Sequence, residues 1–154
     1  MIMPNINLNE LRDRAYKTAC EHGFHDKRLS EEHCLCLVIS ELMEAVEAER
    51  KGRLGKNCKS RFEMDYNRYP ALVEEEKRFK CSFENHVKYT LPDKLSNAVI
   101  CLLDLAGLRG ISLETVSEDI NSEYMDDVVH MYSQLSFTEA IYVISIIPPV
   151  DCSD

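Results

Sequence analysis

The clearest hydrophobic pattern in the chain lies over residues 30–52, SEEHCLCLVISELMEAVEAERKG, where Leu35, Val38, Ile39, Leu42, Met43 and Val46 return every three or four positions. That spacing predicts an amphipathic α-helix with one broad apolar stripe. Ser30 is placed to cap its start, and Glu31 and Glu32 suit the positive end of the helix dipole. Arg50 and Lys51 fall in the last turn, and Gly52 can take the left-handed conformation that ends a helix. Glu41 and Glu44 are three residues apart, and so neighbours on the helix surface, at the edge of the stripe. Most helix glutamates simply reach into solvent. Two carboxylates at a core edge repel each other and are costly to desolvate unless a cation joins them.

The remaining pattern is also helical. A first helix is expected from Asn7, with Glu10 in capping-box position, Leu8, Leu11, Ala15 and Ala19 on its apolar side, and a stop at Gly23. The following loop holds His22, His25 and Asp26, read as a polar connection rather than a metal site. Residues 53–70, rich in Lys, Arg and Tyr, read as a solvated surface loop, and residues 71–89 as a helix of mixed charge. A clear helix follows from Thr90, with Asp93 three residues later and Pro92 tolerated in the first turn. Leu95, Ala98, Val99, Leu102, Leu105 and Ala106 form its buried stripe, and Gly107 and Gly110 offer stops. Residues 111–135 are amphipathic and acidic, with a break expected near 124–127. Ser136 and Glu139 form a capping box ahead of AIYVISII, which Pro148 and Pro149 terminate. The fold class is all-α.

With 154 residues, 45% hydrophobic, no Trp and few Gly and Pro, the chain suits one helical domain with a real core. No apolar run is long enough to span a membrane, and the first residues lack the basic start and apolar core of a secretion signal, so a cytoplasmic location is expected. The seven Cys form no C-x-x-C pair and mostly sit in apolar patterns, as small buried thiols. A net charge of −9 argues against nucleic acid and acidic membranes as partners. A small anionic ligand stays compatible with it, because a bound divalent cation reverses the local sign.

SELMEAVEAERKGR, together with FENHVKYTLPDKLSNAVICLLDLAGLRGI, resembles the MazG-like, all-α nucleoside triphosphate pyrophosphohydrolases. The likeness extends back to LRDRAYKTACEHGFHD, covering about residues 7–111 of a single domain, with about 112–150 as a helical extension. It implies a helical bundle completed by another subunit, hence a homodimer or higher oligomer, and a nucleoside triphosphate or related nucleotide as ligand. The family's signature is Glu-x-x-Glu on one helix and Glu-x-x-Asp on another. These four carboxylates hold Mg²⁺, which grips the triphosphate while water attacks between the α and β phosphates.

Glu41 and Glu44 match the first half of that signature, while Ser40 stands where many members carry a further Glu. In the second half the expected Glu falls on Lys94 and the expected Asp on Asn97. Asp93 is the acidic residue best placed to compensate; Asp104 lies two turns further on, about 10 Å along the axis. Three readings follow. In one, Glu41, Glu44, Asp93 and Asn97 hold a single Mg²⁺, one glutamate orients or deprotonates water, and Lys94 contacts a phosphate. In the second, which the substitutions favour, Lys94 stands in for the cation, no cofactor is needed, and Mg-dependent hydrolysis is weakened or lost. In the third, the chain is a non-catalytic helical interaction module.

Overall fold

The structure, a computed structural model, describes residues 7–116 and 123–146. Seven helices can be bounded there: α1 (Leu8–Glu21), α2 (Glu31–Arg50), α3 (Cys58–Arg68), α4 (Glu75–His86), α5 (Leu91–Arg109), α6 (Glu123–Ser133) and α7 (Phe137–Ile146). Residues 114–116 are helical as well, and no strand occurs among the described residues. The fold is all-α. The chain divides into two compact units, one formed by residues 1–39 and 99–154 and the other by residues 40–98.

Local chemistry sets most helix ends. The Glu10 N–H donates to Asn7 Oδ1 at 3.1 Å, and the His33 N–H to Ser30 Oγ at 3.3 Å, so Asn7 and Ser30 each satisfy an orphan donor of a first turn. A hydrogen bond from Ser30 also holds the Glu32 carboxyl below the usual carboxylate range. At the other end of α2, Gly52 adopts φ +69°, and the Arg53 N–H returns to the Ala48 carbonyl at 2.8 Å. Ser136 and Glu139 cap α7 reciprocally: the Ser136 N–H donates to Glu139 Oε2 at 2.8 Å, and the Glu139 N–H to Ser136 Oγ at 3.3 Å. Pro148 and Pro149, expected to terminate α7, lie outside the described residues.

Three sequence expectations are corrected. The 53–70 stretch is not all loop, because Cys58–Arg68 is helix α3. Its own apolar content is thin, and it is held by packing against α4. Phe62 meets Phe79 edge-on with ring centroids 5.2 Å apart, and Tyr66 donates to Glu75 at 3.2 Å. The expected break near 124–127 is also absent: α6 runs without interruption from Glu123 to Ser133. Finally, α5 passes through Gly107 and stops at Gly110, whose φ is +65°. Gly107 serves close approach instead, since a Cβ there would lie 2.5 Å from the Tyr16 Cβ of α1.

The buried positions are also fewer and smaller than the apolar stripes suggest. Cys34, Val38, Leu103, Ala106 and Ile141 are buried in the first unit, and Ala45, Ala48 and Ala98 in the second. Leu35, Ile39, Met43, Val99 and Leu102, all expected in the core, are exposed. Of the six described cysteines only Cys34 is buried, and none of the six is in a disulfide. Among the described residues no helix is long and apolar enough to cross a membrane.

Helix propensity alone makes Gly→Ala in a helix interior stabilising by about 1 kcal/mol. At Gly107 the contact with Tyr16 reverses that sign. Overpacking typically costs about 1–3 kcal/mol, so Gly107→Ala is expected to lower the melting temperature, and adding Tyr16→Ala to leave the loss in place, because alanine keeps the Cβ that clashes. Thermal unfolding followed by circular dichroism measures both.

Candidate functional site

Within the 40–98 unit, the second half of α2 carries Glu41 and Glu44, and the first two turns of α5 carry Asp93, Lys94 and Asn97. Buried positions of α2 fall at 34, 38, 45 and 48. The alternating four- and three-residue steps put position 41 in line with them. Glu41 therefore occupies the inward seam itself, where the sequence pattern placed it at an edge. Its neighbours in this unit, Ala45 and Ala48, and Ala98 on α5, are almost fully buried and small. Small side chains bring helix backbones close, so a long lysine from one can reach carboxylates on the other. The start of α5 is fixed by the loop after α2: the Leu91 N–H donates to the Arg53 carbonyl at 2.8 Å. Gly55, at φ +64°, lies so near Pro92 that a Cβ would be 2.7 Å from the proline Cδ.

This geometry brings Glu41, Glu44, Lys94 and Asn97 together. Lys94 Nζ lies 2.5 Å from Glu44 Oε2 and 3.5 Å from Glu41 Oε2. Asn97 donates from Nδ2 to the same Glu41 oxygen at 3.3 Å. The Lys94 side chain is 11% exposed, against 25% for Glu41 and 52% for Glu44. The ammonium is thus the interior member, and the site opens to solvent at Glu44. Its pKa is raised above the ordinary 10.5, first by the hydrogen bond to Glu44 and further by the charges of Glu41, Glu44 and Asp93, against the opposing effect of burial. The Tyr89 ring lies beside it, with Nζ 5.5 Å from the ring centroid.

Asp93 is engaged elsewhere. Its Oδ2 accepts the Tyr89 N–H at 2.8 Å, while its own N–H donates to Thr90 Oγ1 at 3.4 Å. The carboxylate therefore helps close the start of α5 and supports the left-handed backbone of Tyr89, at φ +64°. Asp104 belongs to the other unit, formed by residues 1–39 and 99–154, where it binds His25, with Nε2 2.8 Å from Oδ1. That pairing of the 22–29 loop with α5 was not legible in the sequence, because 79 residues separate the partners and neither belongs to a local motif.

Mg²⁺ requires an octahedron of oxygens at about 2.0–2.1 Å. Here both glutamates face an ammonium, and the Asn97 amide turns its nitrogen toward Glu41. A carboxylate only accepts, so that amide orientation is set by chemistry. Among the described residues no group of three or more His, Cys, Asp or Glu is placed to hold a metal ion. As arranged, these side chains do not fit Mg²⁺. What they do form is an intramolecular cation site whose cation is covalently attached. No protein-family model, curated protein or solved structure matches the chain.

Removing the ammonium leaves two carboxylates opposed, one of them within the seam. Exposed pairs contribute about 0–1 kcal/mol and buried ones cost about 3–5 when broken. With Glu44 half exposed, Lys94→Met is expected to cost about 1–3 kcal/mol, and Glu41→Gln in that background to return part of it. The folded pKa of Lys94 is raised, so its contribution is complete below 10.5 and is lost as pH climbs through the higher folded value. The gap in urea-unfolding stability between wild type and Lys94→Met should therefore be constant from neutral pH to about 10 and shrink above it.

Proposed function

We propose that this chain is a relative of the MazG-like nucleotide pyrophosphohydrolases in which a lysine has taken the place of the catalytic cation, leaving Mg-dependent hydrolysis weakened or lost. The observation that carries the reading is the position of Lys94 Nζ against both Glu44 and Glu41. These two residues match the family's first acidic pair, and the ammonium comes from the position at which the second acidic pair begins. A tethered cation neutralises the glutamates at any metal concentration. It brings one positive charge where Mg²⁺ brings two, and it has no exchangeable coordination positions at which a triphosphate could bind. The consequence is a site suited to holding the helices together, with binding of a nucleotide or assembly with other subunits as the remaining roles.

The same reading makes the protein a homodimer or higher oligomer. Leu35, Ile39, Met43, Val99 and Leu102 belong to the apolar stripes of α2 and α5 yet are 38–52% exposed, which supports burial against a further subunit. Multi-angle light scattering at micromolar concentration is expected to give at least twice the 17.8 kDa chain mass. A strictly monomeric mass would count against it.

The deciding experiment is a melting curve with and without millimolar Mg²⁺, joined to a turnover assay on a mixed panel of nucleoside triphosphates. The wild type should show neither a Mg²⁺-dependent rise nor pyrophosphate release. The double variant Lys94→Glu, Asn97→Asp restores the four-carboxylate pattern and should be less stable without metal and recover with it, since binding to the folded state alone stabilises by mass action. A clear Mg²⁺-dependent rise and turnover in the wild type would replace this reading with that of an active enzyme whose site is rearranged.

A further inference from the structure

A second candidate site lies in the unit formed by residues 1–39 and 99–154, independent of the Lys94 reading. A half-open cavity of about 460 Å³ is lined by α1, the 22–29 loop and parts of α2 and α5. Its volume falls in the range of roughly 300–1,000 Å³ typical of small-molecule pockets. Helix α1 and its C-cap residue His22 present two parallel rows to it. Leu11, Ala15 and Ala19 repeat every four residues and form an apolar row; Arg14, Thr18 and His22 repeat in the same way beside it and form a polar one. Leu37 and Leu103 extend the apolar part of the lining.

The charged groups of the lining are not equivalent. Asp104 is taken up by His25 at 2.8 Å, with side chains only 22% and 14% exposed, so the lining's one carboxylate already has a partner. Arg14 is exposed, and no carboxylate among the described residues pairs with it. The cavity thus offers an apolar surface running alongside a guanidinium that has no counter-ion among the described residues, in a protein whose net charge is −9. A wholly neutral ligand would leave the guanidinium unused, and a polyanion such as a nucleotide triphosphate would set its charges against an apolar lining. A guanidinium matches a single carboxylate in geometry as well as charge.

We infer that this cavity binds an apolar monocarboxylate, its hydrocarbon body along Leu11, Ala15 and Ala19 and its carboxylate on Arg14. Decanoate is the probe, and 1-decanol is the neutral control with the same body. Isothermal titration calorimetry below the micellar range should give saturable binding of one decanoate per chain and clearly weaker binding of decanol. Arg14→Gln alters an exposed side chain and keeps most of its length. It should weaken decanoate about tenfold or more while leaving decanol unchanged. Ala15→Phe, which fills the cavity, should abolish both; if that variant does not melt cooperatively, Arg14→Gln decides alone. Absence of saturable decanoate binding to the wild type overturns the proposal. So does an Arg14→Gln variant that binds decanoate as tightly as the wild type.

Discussion

The ion triad of Glu41, Glu44 and Lys94 is the constraint on which the 40–98 unit rests. Glu41 stands in the inward seam of α2, in register with Ala45 and Ala48, where an aliphatic residue would ordinarily pack. A carboxylate at such a position is tolerated only with a cation and hydrogen-bond donors around it. Lys94 supplies the first and Asn97 the second. Since both come from α5, the requirement fixes how far along α2 the start of α5 must lie. Well-packed hydrophobic residues of the same volume often hold helices as strongly as a buried ion pair.

A lysine can meet that requirement only because the backbones come close. The buried faces around the triad are alanine, and Gly55 lets the loop after α2 settle against Pro92. In the other unit Gly107 performs the same service where α5 meets Tyr16 of α1. Close approach and charge placement are thus one design feature. Wider spacing would leave the Nζ short of Glu44, and the two carboxylates would then need a mobile ion or solvent.

Each unit carries polar contacts that tie distant parts of the chain together, among them Lys94 with the glutamates in one and His25 with Asp104 in the other. The two differ in consequence. The lysine is enclosed, and its charge is matched by its immediate neighbours. The His25–Asp104 pair lines a cavity that also holds Arg14, which no carboxylate among the described residues pairs with.

The all-α class was legible in the sequence because it rests on interactions within a few residues. The caps at Asn7, Ser30 and Ser136 and the glycine stops at 52 and 110 are local devices, and each appears where the residues indicate. The proximity of Glu41 to Glu44 is equally local. What the sequence could not decide was anything set by partners far along the chain. Helix α3 is anchored by aromatic rings of α4, so its own charged sequence reads as loop. Gly107 looks like a stop until Tyr16 is placed against it. Large apolar residues mark a stripe, yet small ones mark where helices touch: Ala45 and Ala48, outside the expected stripe of α2, are buried while Met43 is not, and on α5 the expected Ala98 and Ala106 are buried while Val99 is exposed. A lysine at position 94 is visible in the sequence. Only the tertiary structure puts its ammonium between the two glutamates, because helix spacing, a property of neither helix alone, determines whether a flexible side chain reaches its counter-charge.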